Sequence, residues 1–472
     1  MRHRLTTRIG TLATCLIACC GFAFGQPCEP EWDVTVGTPG VSHPYLSWSI
    51  DALQVYDDGN GEMLYAAGGF GDFAGLPGTA NIAGWDRASN TWSGLDGGID
   101  DDGWVQAMAT FDGGSGPELI VGGYFPGTVS GVPYTANIAK WNGSEWSALG
   151  TGIPNDLVSS MTTWDGVGGD RLYVGGRFPT AGGVPANGIA AWDGVQWHAM
   201  GDGITGWNPY IDAMMAWDDG SGEKLYVGGR FDTMDGLSIP LLARWDGRTW
   251  EQVGDGLINN MYMFGIESMA VYDDGSGPAL YVGGYEFNAP GQPMGNVSKW
   301  DGLRWTTVGP LYDGRCTSLC VFDDGSGPGL YRTGNAFWEL GYFAQLVGDD
   351  WEMVGGGITK DPYSSPWPST SDLCVWDDAL YICGFFNRAG GYQGVGGLPC
   401  GDIAAWVGCP APCPGDVDGD GDTDLSDLGA LLAAYGTTPG HPRWNPNADF
   451  DGNGIVELSD LAHLLADYGC GT

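Results

Sequence analysis

Residues 214–256 read MMAWDDGSGEKLYVGGRFDTMDGLSIPLLARWDGRTWEQVGDG, and the punctuation of this stretch decides the fold. An apolar run ending at Trp217 meets an acidic glycine turn, Asp218-Asp219-Gly220. LYVGG follows from Leu225, then a polar loop, LLARW up to Trp245, and a last short run from Trp250. Each run is short, alternating or rich in β-branched and aromatic residues, and bounded by Gly, Asp or Pro, as β-strands are. The leading signal of this unit begins at Leu64, Leu119, Leu172, Leu225, Leu280, Leu330 and Leu380, in steps of 55, 53, 53, 55, 50 and 50 residues. Four short strands in a unit of about fifty residues, repeated seven times, predict an all-β fold, a seven-bladed β-propeller over residues 26–412.

The ends of the repeat predict how the ring closes. The seventh unit reaches Ile403-Ala404-Ala405-Trp406 and then meets Cys409-Pro410 without a fourth strand. A matching strand stands near the other end, at Glu31-Trp32-Asp33-Val34-Thr35-Val36-Gly37, in the form of Thr249-Trp250-Glu251-Gln252-Val253-Gly254. A sheet completed by that segment leaves no open edge. Aligning Trp32 with Trp250 brings Cys28 near Gly408, so a Cys28–Cys409 disulfide is expected as a latch. Cys374 and Cys383, on either side of the Asp378-Ala379 turn, are expected to pair as well, and Cys316, Cys320 and Cys400 stay unassigned.

These units resemble kelch repeats, in which a Gly-Gly doublet ends the second strand, an aromatic sits in the third and a Trp follows some six positions on. The trio here is Gly228-Gly229, Trp245, Trp250. It recurs as Gly122-Gly123, Trp141, Trp146; as Gly175-Gly176, Trp192, Trp197; and as Gly283-Gly284, Trp300, Trp305. The sixth unit departs from it, with Thr333-Gly334 and Leu346, but keeps Trp351. Paired glycines permit close approach between sheets, and the Trp rings fill the space between neighbours.

The chain has 472 residues with 84 Gly, 22 Trp, 58 acidic and 18 basic residues, a formal charge of -40. Such acidity excludes partners bound through phosphates, nucleic acid and anionic lipid among them. Hydrophobic content of 43% supplies a core, so the charge does not signify disorder. Arg2, Arg4 and Arg8 precede an uncharged stretch over 9–25 that ends Ala23-Phe24-Gly25, the form of a secretory signal peptide spanning 1–25. Leu16-Ile17-Ala18-Cys19 also fits a lipoprotein box, which would leave a lipid on Cys19. The expected location is extracellular or at the cell surface, with no transmembrane segment.

Alternating strand directions send the 1–2 and 3–4 turns to one face and the 2–3 and 4–1 loops to the other. The 4–1 loops carry Trp104, Trp207, Tyr210, Tyr262, Phe264, Tyr312, Tyr363 and Trp367, beside Asp101, Asp102, Asn155, Asp156, Asn208, Asn259, Asp313, Arg315 and Asp361. Aromatic platforms among amides and carboxylates suit a glycan or a protein ligand, although the same rings would also serve to cover the end of the propeller. The repeated Asp-Asp-Gly turns read as hairpin chemistry rather than cation sites.

Residues 413–472 carry a sharper signal. Asp416, Asp418, Asp420, Gly421, the Asp422 carbonyl, Asp424 and Asp427 fit a twelve-residue calcium loop. Asp449, Asp451, Asn453, Gly454, the Ile455 carbonyl, Glu457 and Asp460 repeat it 33 residues on. Each loop runs into a short helix, LSDLGALLAAYG or LSDLAHLLADYG. Neither loop has an entering helix and Asp replaces Glu at position 12, so the segment resembles a type I dockerin rather than an EF-hand pair. The resemblance implies two bound Ca2+ ions, a cohesin-like partner read by Leu425-Ser426 and Leu458-Ser459, and a Cys413–Cys470 bond. Many dockerins carry a hydroxyl pair where this chain has Leu-Ser.

No nucleophile elbow, zinc motif or phosphate loop is present. Of the five histidines only His43 and His198 lie in the repeat region, without the spacing of a copper site. The expected function is a binding or scaffold protein. The alternative is a dockerin-borne carbohydrate-active enzyme, for which Asp101 and Asp361 would be a usable carboxylate pair.

Overall fold

The computed structural model describes residues 30–38, 40–42, 49–73, 75–99, 103–154, 156–259, 265–309, 314–335, 342–359, 368–390, 397–409, 415–418, 423–466 and 468. The chain divides into two compact units, Glu29–Cys409 and one containing Pro410–Thr472.

The first unit is mostly β and propeller-like. Among the described residues it holds seven four-stranded antiparallel sheets, the fifth with one additional strand, and four smaller sheets of two or three strands. The fourth sheet shows the plan: Tyr210–Asp218, Glu223–Arg230, Leu242–Trp245 and Trp250–Gln252, hydrogen-bonded in that order. The seventh sheet orders Ser369–Trp376, Ala379–Phe385 and Ile403–Val407, then Glu31–Asp33 from the start of the chain, with Trp32 opposite Trp406.

Asp-Gly chemistry shapes the hairpins. The Asp218 carboxylate accepts the N–H groups of Gly220 and Gly222 at 2.8 and 2.9 Å, and Asp57, Asp112, Asp273 and Asp323 repeat that pair of bonds. The carboxylates thus satisfy turn backbone. The second turn acid takes cations of the third strand, as Asp219 does with Arg244 and Asp274 with Lys299. Much of the negative charge is therefore structural.

Tryptophan pairs make the core. Trp85 faces Trp92, Trp141 faces Trp146, Trp192 faces Trp197, Trp245 faces Trp250, Trp300 faces Trp305 and Trp406 faces Trp32 in register, while Leu346 faces Trp351 in the sixth sheet. The outer indole of each pair then reaches the preceding sheet: Trp146 Nε1 donates to Leu95 O, Trp197 to Leu149 O, Trp250 to Met200 O and Trp305 to Val253 O, all within 3.2 Å. Trp92 reaches Val36 O and Trp32 reaches Gly355 O, at 3.0 and 2.8 Å. Trp351 Nε1 is buried with no acceptor. Six links of the seven are made, and the missing one falls in the sheet that departs from the repeat.

The glycine doublets have two distinct neighbours. A Cβ on Gly228 would stand 2.7 Å from Ile266 in the following sheet, whereas one on Gly229 would stand 2.2 Å from the Tyr210 carbonyl of its own sheet. One glycine admits the neighbour and the other the strand beside it.

Cys374 and Cys383 are free thiols, contrary to expectation. The hairpin turns on Asp377-Asp378, so its register places Cys374 opposite Tyr381 and Cys383 opposite Asp372, two rungs apart. Cys316, Cys320 and Cys400 are also free. Cys409 is disulfide-bonded, to a partner outside the described residues. No helix among the described residues is long and apolar enough to cross a membrane.

The C-terminal unit packs helix α1 (Leu425–Ala434) and helix α2 (Leu458–Ala466) around Val417, Leu431, Ala434, Ala448, Val456 and Leu464. The segment after α1 is tied to the second loop by Gly436 N–H to Val456 O and Val456 N–H to Thr437 O, at 2.8 and 3.1 Å.

Candidate functional site

The first strand of each sheet is an edge, so its outward backbone groups lack ladder partners. Every one of these strands has a register irregularity at the same place, leaving out of step Asp51, Gln106, Ser159, Asp212, Glu267, Thr317 and Ser371. The residue before each is buried; the bulge residues themselves are half-buried, apart from buried Ser159. Bulges re-aim side chains, and here they set one polar group per sheet beside the neighbouring edge. Ser159 Oγ donates to Ile211 O at 2.6 Å, and Thr317 Oγ1 to Thr370 O at 2.8 Å. Ser371 Oγ donates to Asp51 at 3.3 Å. One position along the strand, Asp372 accepts the Leu53 N–H at 3.1 Å, joining the last sheet to the first, and Ser268 Oγ accepts the Leu319 N–H at 2.6 Å.

Three carboxylates belong to this collar. Burial pushes Asp212 up to about 8, with Glu267 adding to the shift against the pull of Arg315 and Ser159. Burial likewise raises Asp51 to about 6 and Glu267 above its usual range, the latter in spite of Arg315, whose Nε donates to Glu267 Oε2 at 2.6 Å. Glu267 Oε1 has no hydrogen-bond partner. At neutral pH Asp212 holds its proton, while Glu267 is hydrogen-bonded by Arg315.

Above the collar stands a built aromatic patch. Arg230 is sandwiched between Trp207 and Tyr210, its guanidinium carbon 5.3 and 4.4 Å from the two ring centres, and its Nε and Nη2 donate to Asn208 O. Arg177 bonds Asp156 through Nε at 2.9 Å and Asn208 Oδ1 through Nη1 at 3.0 Å. Asp156 has φ +145° and Asn208 φ +48°, so both sit in strained backbone held by these bonds. Trp207 remains 63% exposed. In the second sheet Trp104, 40% exposed, stacks on Tyr124 with ring centres 4.8 Å apart. Of the expected loop aromatics, Trp104 and Trp207 therefore present open faces and Tyr210 folds in. Tyr262, Phe264, Tyr312, Tyr363 and Trp367 lie outside the described residues, as do Asp101, Asp102, Asn155, Asp313 and Asp361. Asn259 is described only as backbone, paired with Phe287. His43 is likewise outside, and His198 Nε2 bonds Asp193 at 2.6 Å within a hairpin.

The two C-terminal loops have matching geometry. Asp427 Oδ1 accepts Val417 N–H and Asp418 N–H at 2.7 and 3.1 Å and Oδ2 accepts Asp424 N–H at 2.8 Å; Asp460 does the same for Phe450, Asp451 and Glu457. Burial would raise the Asp427 carboxyl, but these N–H donors hold it below its usual range. Carboxylate oxygens of Asp416, Asp418 and Asp427 converge within 4.8 Å of one another, as do those of Asp449, Asp451 and Asp460. Asp449 Oδ1 is buried with no hydrogen-bond partner. Crowded hard oxygens in each loop, with a buried lone pair unspent in the second, fit one calcium ion per loop, which would be held in the first by Asp416, Asp418, Asp424 and Asp427 and in the second by Asp449, Asp451, Asn453, the Ile455 carbonyl, Glu457 and Asp460. Asp420, Asp422, Cys28, Cys413, Cys470 and the leader 1–25 lie outside the described residues.

Sequence reasoning reached only part of the helical surface. Leu425 and Leu458 are 69% and 68% exposed, beside Ser426 and Ser459. Leu432 and Tyr435, and their counterparts Leu465 and Tyr468, are exposed as well. The identical spacing in LSDLGALLAAYG and LSDLAHLLADYG was the available signal, and it sets one apolar stripe twice.

No family model matches the chain, and no curated protein matches it. Among solved structures, the extracellular domain of a one-component system from B. thetaiotaomicron is similar over 80% of this chain at 11% identity and a TM-score of 0.48. This chain spans only 40% of that one's length. The computationally designed protein Ika8 is similar over 78% of this chain and 98% of its own, at 13% identity and a TM-score of 0.40. The WD40 β-propeller domain of Doa1 is similar over 76% and 97%, at 10% identity and a TM-score of 0.38.

Proposed function

We propose that the chain is an exported binding or scaffold protein in which a closed propeller grips a ligand and a calcium-loaded module docks the whole to a partner. The seven sheets are taken as kelch-like blades, with the segment around Trp32 completing the last. The loop face, with Trp104 and Trp207 as open platforms, binds a glycan or protein. The C-terminal unit is taken as a dockerin-like module holding two Ca2+ ions and docking to a cohesin-like protein through Leu425, Ser426, Leu458 and Ser459. The observation that carries the reading is the duplicated carboxylate cluster, with matching bonds around Asp427 and Asp460 and an unpartnered Asp449 Oδ1. Calcium titration of the chelator-stripped protein tests it: two heats of binding with a rise in helical circular dichroism are expected, and a spectrum indifferent to calcium would remove the docking half.

The second reading, a secreted carbohydrate-active enzyme, draws on one observation. Asp212 and Glu267 are neighbouring carboxylates on adjacent sheets, both raised by burial, with Glu267 adding to the Asp212 shift. The commitment of Glu267 to Arg315 favours binding over catalysis.

A further inference from the structure

We propose that Cys320 and Cys374 are a redox pair, thiols in this structure and a disulfide under oxidising conditions, which ties the sixth sheet to the seventh. Both sit in first strands and in the same local sequence, Leu319-Cys320-Val321-Phe322-Asp323 and Leu373-Cys374-Val375-Trp376-Asp377. At that phase the other five first strands carry Gln54, Ala109, Thr162, Met215 and Ala270. The two cysteines at this position therefore stand on neighbouring sheets.

Contacts between the two strands bring the thiols together. Thr317 Oγ1 donates to Thr370 O at 2.8 Å, so one short side chain spans the gap, and Ser318 Oγ donates to Asp372 Oδ1 at 3.3 Å. Cys320 and Cys374 lie two residues further along each strand. The two-residue period of a strand puts them on the side that Ser318 and Asp372 share. Asp372 acts electrostatically on both thiols, and Cys320 acts on Cys374. A disulfide needs Cβ atoms about 3.5–4.5 Å apart, a separation within reach where a single Thr side chain bridges the strands. Cys316, Cys383 and Cys400 are buried, whereas Cys320 and Cys374 are half-buried and open to a small oxidant.

The chain already carries a disulfide at Cys409, at the end of the seventh sheet. Burial, then Asp372, pushes Cys320 up to about 12, and the same two causes raise Cys374, with Cys320 adding to its shift. Both are protonated at neutral pH and exchange slowly, so the bond forms as the strands come together in folding or on long exposure to oxidant. With glutathione disulfide as oxidant, the Cys374 thiolate displaces one glutathione and forms a mixed disulfide. The Cys320 thiolate then attacks the Cys374 sulfur and displaces the second. Two protein thiols are oxidised, one glutathione disulfide is reduced, and the two protons pass to the glutathione thiolates. The bond gives up the weak contact in which Cys374 Sγ accepts the Val55 N–H of the first sheet.

The test uses the mature full chain in calcium, refolded and equilibrated with glutathione disulfide or with reductant, alkylated in denaturant and digested with chymotrypsin. Cuts at Leu319 and Trp376 separate Cys320 from Cys316 and Cys374 from Cys383. The oxidised sample is expected to give one joined peptide pair, Cys320 to Cys374. Oxidation is expected to raise the melting temperature by about 3–5 °C more in the wild type than in Cys320→Ser or Cys374→Ser, both of which keep the disulfide at Cys409. The peptide map needs no variant and decides the pairing. Recovery of both cysteines alkylated, or of Cys374 joined to Cys383, overturns the redox pair. A joined pair with the same melting shift in all three proteins overturns its role as a tie between the sheets.

Discussion

The Trp32 indole N–H donates to the Gly355 carbonyl at 2.8 Å, joining residues 323 positions apart in the chain. It is the same bond that Trp146, Trp197, Trp250 and Trp305 make within the repeat, here made by a strand from the other end of the chain. The Trp32 ring also meets Trp406 edge-on at 5.3 Å. Trp32→Phe is expected to destabilise the propeller-like unit by about 1–1.5 kcal/mol from the lost hydrogen bond, since water can reach the exposed Gly355 carbonyl. Trp351→Phe is the internal control. Its N–H has no acceptor, so its replacement is expected to cost under about 1 kcal/mol. Denaturant melts of both variants check this, and equal losses would show that ring area rather than the bond matters.

The strands and the Trp pairs were legible because the repeat states them several times over. The turn acids were legible for the same reason, since Asp218 and its equivalents do the same local job in five of the seven copies. The collar was not. Asp51, Gln106, Ser159, Asp212, Glu267, Thr317 and Ser371 differ in type, and their roles come from contacts with the next sheet, which no local pattern encodes. A polar residue at the same phase of every first strand was the signal available. The Cys374–Cys383 expectation failed over two rungs of hairpin register: centring the turn on Asp377-Asp378 separates the thiols. Arg315 stood among the loop residues, but its pairing with Glu267 depends on two strands 48 positions apart.

The two glycines of a doublet are expected to differ in tolerance. On Gly229 a Cβ would strike the Tyr210 carbonyl at 2.2 Å, which is backbone and cannot yield. On Gly228 it would meet the Met269 methyl at 2.6 Å, a flexible end, and Ile266 at 2.7 Å. Gly229→Ala should therefore cost more than about 3 kcal/mol and Gly228→Ala about 1–3. Melting temperatures of the two variants provide the comparison, and the reverse order would disprove this division of roles.

Stability of the propeller-like unit is expected to fall as pH rises. Asp212 holds its proton to about 8 and Asp51 to about 6, far above the 3.8 of a free carboxyl. Between pH 4 and these values the native state binds more protons than the unfolded chain, so unfolding becomes easier with each step upward. The Asp51 contribution is complete by about pH 6 and that of Asp212 by about pH 8. Asp212→Asn keeps a polar group beside Ser159 and removes the ionisation, so it should stabilise the protein at pH 8 by a few kcal/mol and leave it little changed at pH 4. Thermal melts from pH 4 to 9 would show a flatter profile for the variant; a parallel one would mean that Asp212 does not titrate as placed.

Calcium dependence should separate two kinds of loop carboxylate. Asp460 binds three backbone N–H groups of its own loop besides facing the cation position, so Asp460→Ala loses both the ligand and the loop. The Asp451 carboxylate is bound by Asn453 and Ser459, exposed partners that water can replace. Asp451→Ala is accordingly expected to weaken calcium at the second loop about 10–100-fold and leave a foldable module at millimolar calcium. Asp460→Ala should leave that half unfolded at any calcium concentration. Helical circular dichroism followed against free calcium distinguishes the two, since only the first variant recovers at high metal. Recovery of both would mean that the N–H bonds to Asp460 are dispensable and that the ion alone organises the loop.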